Sequence, residues 1–240
     1  MFTQFLNPKS LYIFLERANP YLVLIALLGL AAGLWGGLAL APADYQQGDA
    51  FRIIYIHVPF AIWSLGFYTA LAFLSGLYLV WKIKIFPLVA QSLAIPGAAM
   101  TFLACLTGAI WGKPMWGTWW IWDARLTSEF LLLFIYLGYI TLSSMSYDQD
   151  SDYQLSSIYA VVGFINVPII HFSVHWWNTL HQGPTITRLA KPAISNQMLW
   201  PLLVMIISIG LVFALIASYK LRANILLSFK DKKWIKEVLS

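Results

Sequence analysis

Between Trp111 and Asp123 the chain reads WGKPMWGTWWIWD, and four histidines, His57, His171, His175 and His181, stand to either side of it. Trp111, Trp116, Trp119, Trp120 and Trp122 crowd into this stretch, which ends on a carboxylate. Each indole is large and flat and carries one N–H that needs a partner when buried. Gly112, Gly117 and Pro114 interrupt helical geometry, so the stretch is expected to be a shaped loop. A loop of flat aromatic faces suits a large planar ligand, with a tetrapyrrole as the leading candidate. Tryptophans also gather at membrane interfaces. That rule accounts for one or two of them, but not for this density with two glycines and a terminal Asp.

Neutral imidazole is a good iron ligand. His57 lies just before Pro59, and His181 lies in HWWNTLHQGP. Both are expected on the same side as the Trp-rich stretch, where the pair could hold haem iron from its two faces. Taken singly, each could serve only in hydrogen bonding. His171 and His175 are spaced i, i+4 and share a helical face. A zinc site on such a pair needs an acid or a third ligand, and none stands nearby. His175 is expected to line the pocket or orient His181. His171, placed deeper, is expected to bond a neighbouring helix.

Asp123 suits the cap of the following helix, where a carboxylate meets free N–H groups. Glu129 is a further acidic residue near that start. Arg125 is disfavoured by the helix dipole there, and as a planar two-pronged donor it is placed to meet a propionate. Arg52, Lys113, Arg188 and Lys191 are weaker candidates for that contact. The single cysteine, Cys105, lies in an apolar run and reads as a small buried hydrophobe. It allows no intrachain disulfide, CxxC chemistry or covalent c-type haem attachment.

These residues need a frame. The chain is 240 residues, 60% hydrophobic and only 10% charged, with mean hydropathy +0.72. Soluble domains carry about a quarter charged residues, so the composition predicts an integral membrane protein. The basic balance then bears on orientation and not on nucleic acid, and no cleavable leader is expected. Six apolar segments are long enough to cross a bilayer: roughly Pro20–Leu40, Pro59–Trp81, Leu88–Ile110, Leu126–Tyr147, Leu155–Trp176 and Trp200–Tyr219. Asn19-Pro20 is expected to cap the first, with kinks at Pro96-Gly97 and Pro168. No segment alternates as barrel strands do. The fold class is therefore an all-α integral membrane protein, one polytopic domain over 1–240, with an external Trp-rich loop at about 111–127. Ten Lys and Arg fall on the side of the termini and five on the other. That places both termini in the cytoplasm and the Trp-rich loop outside. The acidic Asp148, Asp150 and Asp152 form a turn on the inner side.

WGKPMWGTWWIWDARLTSE, with YIHVP before it and HWWNTLHQGP after it, resembles the haem-handling membrane proteins that carry a tryptophan-rich WWD domain. Within that superfamily the chain is similar to the C-type family of the cytochrome c maturation system, over nearly its whole length. The resemblance implies that His57 and His181 are axial ligands of haem b. It implies that Trp111, Gly112, Trp116, Gly117, Trp119, Trp120, Trp122 and Asp123 bind haem and present it to a chaperone, with Arg125 following in the same motif. It also implies an E-type haem chaperone as recipient, an ABC-type pair of A and B subunits, a small single-span D protein, and the bacterial inner membrane as the location.

The chain offers no nucleophile or acid–base pair, which favours a handling protein over an enzyme. Two other classes stay open. A membrane b-type electron-transfer cytochrome would place its ligands within facing helices. A haem or solute transporter would show a polar site at the membrane midplane in broken helices.

Overall fold

A computed structural model describes residues 6–144, 149–181, 183, 186 and 192–239. Among them the fold is all-helical, apart from a single bridge between Asp44 and Gly48. Six segments are long and apolar enough to cross a bilayer: Pro8–Leu40, Asp49–Trp81, Ile85–Trp116, Ala124–Ser143, Ser151–Trp176 and Asn196–Ser228.

The first helix, α1 (Pro8–Trp35), begins twelve residues before the expected start. Asn7 caps it, its Oδ1 accepting from Lys9 N at 3.0 Å, with Pro8 in the first turn. Pro20 lies inside the helix and Asn19 is buried there, so Asn19-Pro20 is not a cap. A π-helical turn, Gly36–Leu40, ends this span, and a short 3-10 segment, Asp49–Ile53, leads into α2 (Ile54–Trp81).

Helix α3 (Ile85–Trp116) runs unbroken through Pro96-Gly97 and on through Gly112 and Pro114. The expectation that Gly112 and Pro114 break the helix is corrected here. Trp111 to Trp116 ride on its last turns, and only residues 117–123 form a non-helical linker. Pro114 forfeits one backbone bond but sits near the helix end. Gly112 leaves room for the Trp116 ring, which an added Cβ would meet at 2.9 Å. The helix stops at Gly117, whose φ of 76° is left-handed, with its N–H bonded to Lys113 O at 3.1 Å.

Helix α4 (Ala124–Ser143) starts on Asp123, as expected of a capping carboxylate: Oδ1 accepts from Leu126 N at 2.8 Å. The fifth span is two helices, α5 (Gln149–Gly163) and α6 (Asn166–Trp176). The break falls at Phe164–Ile165 and not at Pro168. Proline's ring crowds the carbonyl four residues earlier, which here is that of Phe164. The long α7 (Asn196–Ser228) and short α8 (Lys233–Leu239) complete the chain.

Small residues let α1 approach α7. Gly29, Gly33 and Gly36 face Ser208, Met205 and Trp200, a small-residue seam of the kind that packs membrane helices. The central core gathers Tyr68, Leu71, Leu132, Tyr136 and Ile170, and its phenols are satisfied: Tyr136 donates to Ser64 O at 2.8 Å and Tyr68 to Ala160 O at 3.1 Å. At one end, Tyr12, Tyr78, Tyr153 and Leu221 cluster beneath α8, and Lys9 pairs with Glu237. Phe51, Tyr55, Met198 and Leu202 form a separate cluster that carries Trp111 on its flank. The site lies beside this second cluster.

A histidine pair in a tryptophan-lined cavity

A cavity of about 80 Å³ lies where α2, the end of α3 and the start of α4 meet. Helix α2 contributes His57 and Ala61. Helix α3 contributes Ala104, Cys105, Gly108, Trp111, Gly112, Met115 and Trp116. Trp120 enters from the linker, and Arg125, Leu126 and Glu129 from α4. His181, beyond α6, and Gln47, before α2, close it.

The two histidines expected to act together do meet. His57 and His181 face one another with ring centroids 6.4 Å apart and planes at 42°. With metal–nitrogen bonds of about 2 Å and rings roughly 1 Å in radius, two imidazoles on opposite sides of one metal have centroids roughly 6 Å apart. The observed gap fits one iron. His57 is buried, at 9% exposure. Its Nδ1 lies 3.0 Å from Thr107 Oγ1, and Trp111 meets its ring edge-on at 5.6 Å and 76°. Trp111 is itself fixed, its Nε1 donating to Gln47 Oε1 at 2.9 Å and its ring edge-on to Phe51. His181 has the Trp116 ring 6.5 Å away.

The Trp-rich stretch divides into two faces. Trp111, Gly112, Trp116 and Trp120 line the cavity. Trp119 and Trp122 are exposed, at 57% and 73%, and Trp122 packs edge-on to Trp120 and Phe130. Trp120 Nε1 is buried with no hydrogen-bond partner, as is Asp123 Oδ2. A buried indole N–H aimed at no acceptor is costly, and on a cavity wall it is a ready donor for an acidic ligand. With the histidine spacing and the flat walls, the residues present fit a haem.

Arg125 reaches the cavity, and its Nη1 also donates to Ile170 O at 3.1 Å. One turn further, Glu129 Oε1 accepts from Ser64 at 2.7 Å, so a guanidinium and a carboxyl group share one wall. The weaker basic candidates are placed otherwise. Arg52 clamps the end of the first span, donating to Gly37 O and Ala41 O at 2.8 and 2.9 Å and pairing with Asp49. Lys113 Nζ donates to Gly117 O at 3.0 Å. Neither lines the cavity, while Arg188 and Lys191 lie outside the described residues, as does Asp148. His171 and His175 are exposed and do not line the cavity; His171 meets Phe172 edge-on at 4.8 Å. The expected place of His175 in the pocket lining and the expected helix–helix bond of His171 are therefore corrected. Cys105 is half-buried and faces the cavity instead of the packed core.

Sequence reasoning missed Gln47, Thr107, Gly108 and Met115. Thr107 and Gly108 sit in an apolar helical run with no motif to mark them. Only the register of α3 against α2 brings them to His57.

The fold and cavity define a polytopic helical membrane protein with a facing histidine pair in a tryptophan-lined pocket at one end of the bundle. Over residues 1–236 the sequence matches the family described as Heme exporter protein C. It is 44% identical over 230 residues to Heme exporter protein C of Haemophilus influenzae, covering 96% of this chain and 94% of that one. Heme exporter protein C of Escherichia coli is 43% identical over 233 residues, covering 97% and 94%. A ccmC-like mitochondrial protein of cytochrome c biosynthesis from Marchantia polymorpha is 46% identical over 172 residues, or 72% of each chain. The chain belongs to the Heme exporter protein C family, and it is a multi-pass membrane protein.

Proposed function

We propose that this protein holds haem b between His57 and His181 on the outer face of a bacterial inner membrane and hands it to an E-type haem chaperone during c-type cytochrome maturation. One observation carries the reading: two imidazoles from distant parts of the chain face each other across a flat-walled cavity at the spacing one iron needs. Arg125 and the Trp120 N–H are the donors placed for propionates, as charge-assisted bonds favour. Trp111 and Trp116 shield the ring faces from water, and the exposed Trp119 and Trp122 offer a surface that an incoming protein can meet. The chain's own residues bind, orient and present; none acts as a nucleophile.

The family supports work beside ABC-type A and B subunits and a small D membrane protein. The basic residues of the tail, Lys230, Lys232, Lys233 and Lys236, support cytoplasmic termini. Reporters fused after Ser240 and within residues 117–123 should then give opposite answers; a tail exported with the linker would overturn the orientation. For the site, the purified protein should show a six-coordinate, low-spin haem spectrum. His57→Ala and His181→Ala should each abolish that signature. Unchanged spectra in both would overturn the axial assignment.

A further inference from the structure

We propose that Thr107 is a positioning residue that holds His57 in the tautomer that leaves Nε2 free to ligate iron; this rests on the reading of His57 as an axial ligand. Thr107 Oγ1 lies 2.6 Å from Leu103 O and 3.0 Å from His57 Nδ1. A hydroxyl has one proton to give. The shorter contact commits it to the Leu103 carbonyl, the back-bond a helical threonine makes. The oxygen then has only lone pairs left for the imidazole, so Nδ1 must be the donor. With the proton fixed on Nδ1, Nε2 carries the lone pair that a metal takes up.

The same stretch of α3 fixes the ring's rotation. An added Cβ on Gly108 would stand 3.1 Å from His57 Cε1, so the ring lies against bare helix backbone. Trp111, one turn on from Thr107, closes its edge. Thr69, Thr101 and Thr141 make the same back-bond to the carbonyl four residues earlier. Thr107 differs in pairing it with a buried histidine. Without the hydroxyl, the Ala104 carbonyl is the acceptor left beside the ring, and an imidazole that has lost one of its partners is freer to move its proton or turn over.

The test uses the full-length protein. Thr107→Val keeps the shape and removes the hydroxyl; Thr107→Ser keeps the hydroxyl. Loss of a partner behind a metal-bound histidine weakens the metal's hold by about 10–100-fold. Thr107→Val should therefore release haem about tenfold or more readily, with a shifted reduction potential, and Thr107→Ser should restore both. In haem-free protein, nitrogen NMR of labelled histidine should find the proton on Nδ1 of His57 in the native and Ser forms and a changed pattern in the Val form. A native His57 protonated on Nε2 would overturn the proposal, even if Thr107→Val folds poorly. So would a Val form that holds haem as tightly as the native protein. His57→Ala, run alongside, separates the two readings. If it leaves haem binding intact, the ligand assignment itself fails. If it abolishes binding while Thr107→Val does not weaken it, only the role of Thr107 fails.

Discussion

The two walls of the cavity are built differently. His57 stands on a long helix, buried, with its Nδ1 engaged by Thr107, its edge closed by Trp111 and its Cε1 side against Gly108. His181 stands beyond the end of α6, outside any helix, half-buried, with Trp116 as its aromatic neighbour. One imidazole lies among Thr107, Gly108 and Trp111 of one helix; the other stands beyond a helix end and is more exposed. The proposed hand-over makes firm hold and ready release opposite demands on one site, and under it this division lets a different wall answer each. A site that must keep its cofactor is better served by two framed ligands, because rigid groups lose less entropy on binding.

The largest effects should come from the histidines, and their rescue tests the contrast. Both alanine variants should lose the low-spin signature. Added imidazole should restore it at lower concentration in His181→Ala than in His57→Ala, because the vacated place lies on the less enclosed wall. Titrating imidazole against the optical spectrum reads this directly, and equal midpoints would remove the asymmetry.

A middle-sized effect is expected from Trp116→Ala and Asp123→Ala. Both leave the proposed iron ligands in place. Haem co-purifying with the protein should fall several-fold, and haem attached covalently to the chaperone should fall further. Chaperone loading at the native level, with normal protein abundance, would show that Trp116 is no part of a presenting surface. Complete loss of bound haem would make it part of the main hold. Asp123→Ala also removes the cap of α4, at a cost of about 1 kcal/mol in stability, which thermal unfolding would register.

The smallest effect should follow from Gly108→Ala. The added methyl presses on His57 at 3.1 Å, and the ring must yield by a few tenths of an ångström. Helix α3 should keep its stability, while the haem absorption maximum and reduction potential shift slightly. A methyl placed near His181 should do nothing comparable. An unaltered spectrum in Gly108→Ala would mean that the His57 wall is softer than its packing implies.

The spans and the site pair were legible because they rest on local signals. Apolar length marks a membrane helix wherever it occurs, and tryptophans, histidines and the capping Asp123 announce themselves by type. What escaped depends on the partner across the interface. Nothing local to Pro114 reveals that α3 continues through it. The last turns are held from outside, by Gln47 on Trp111 and by Phe51 against the same ring. Arg52 reads in the sequence as a weaker candidate for a propionate contact, and only the fold shows that Gly37 and Ala41 supply its carbonyls. Cys105 looked like core because its neighbours are apolar; that its side faces a cavity follows from the packing of α2, α3 and α4. The early start of α1 was hidden because Lys9, Glu16, Arg17 and Asn19 interrupt the apolar pattern ahead of Pro20.

The cap at Asp123 ties two moving parts to one pin. The carboxylate that ends the tryptophan linker grips the N–H of Leu126, and Leu126 and Arg125 are themselves cavity wall. A docking protein that draws the linker aside must either unfasten that grip, at about 1 kcal/mol, or drag the first turn of α4 along with it. In the second case force applied to the outer rim arrives at the wall where Arg125 stands. The rim and the pocket are thus geared together, by a bond weak enough for an encounter between proteins to break.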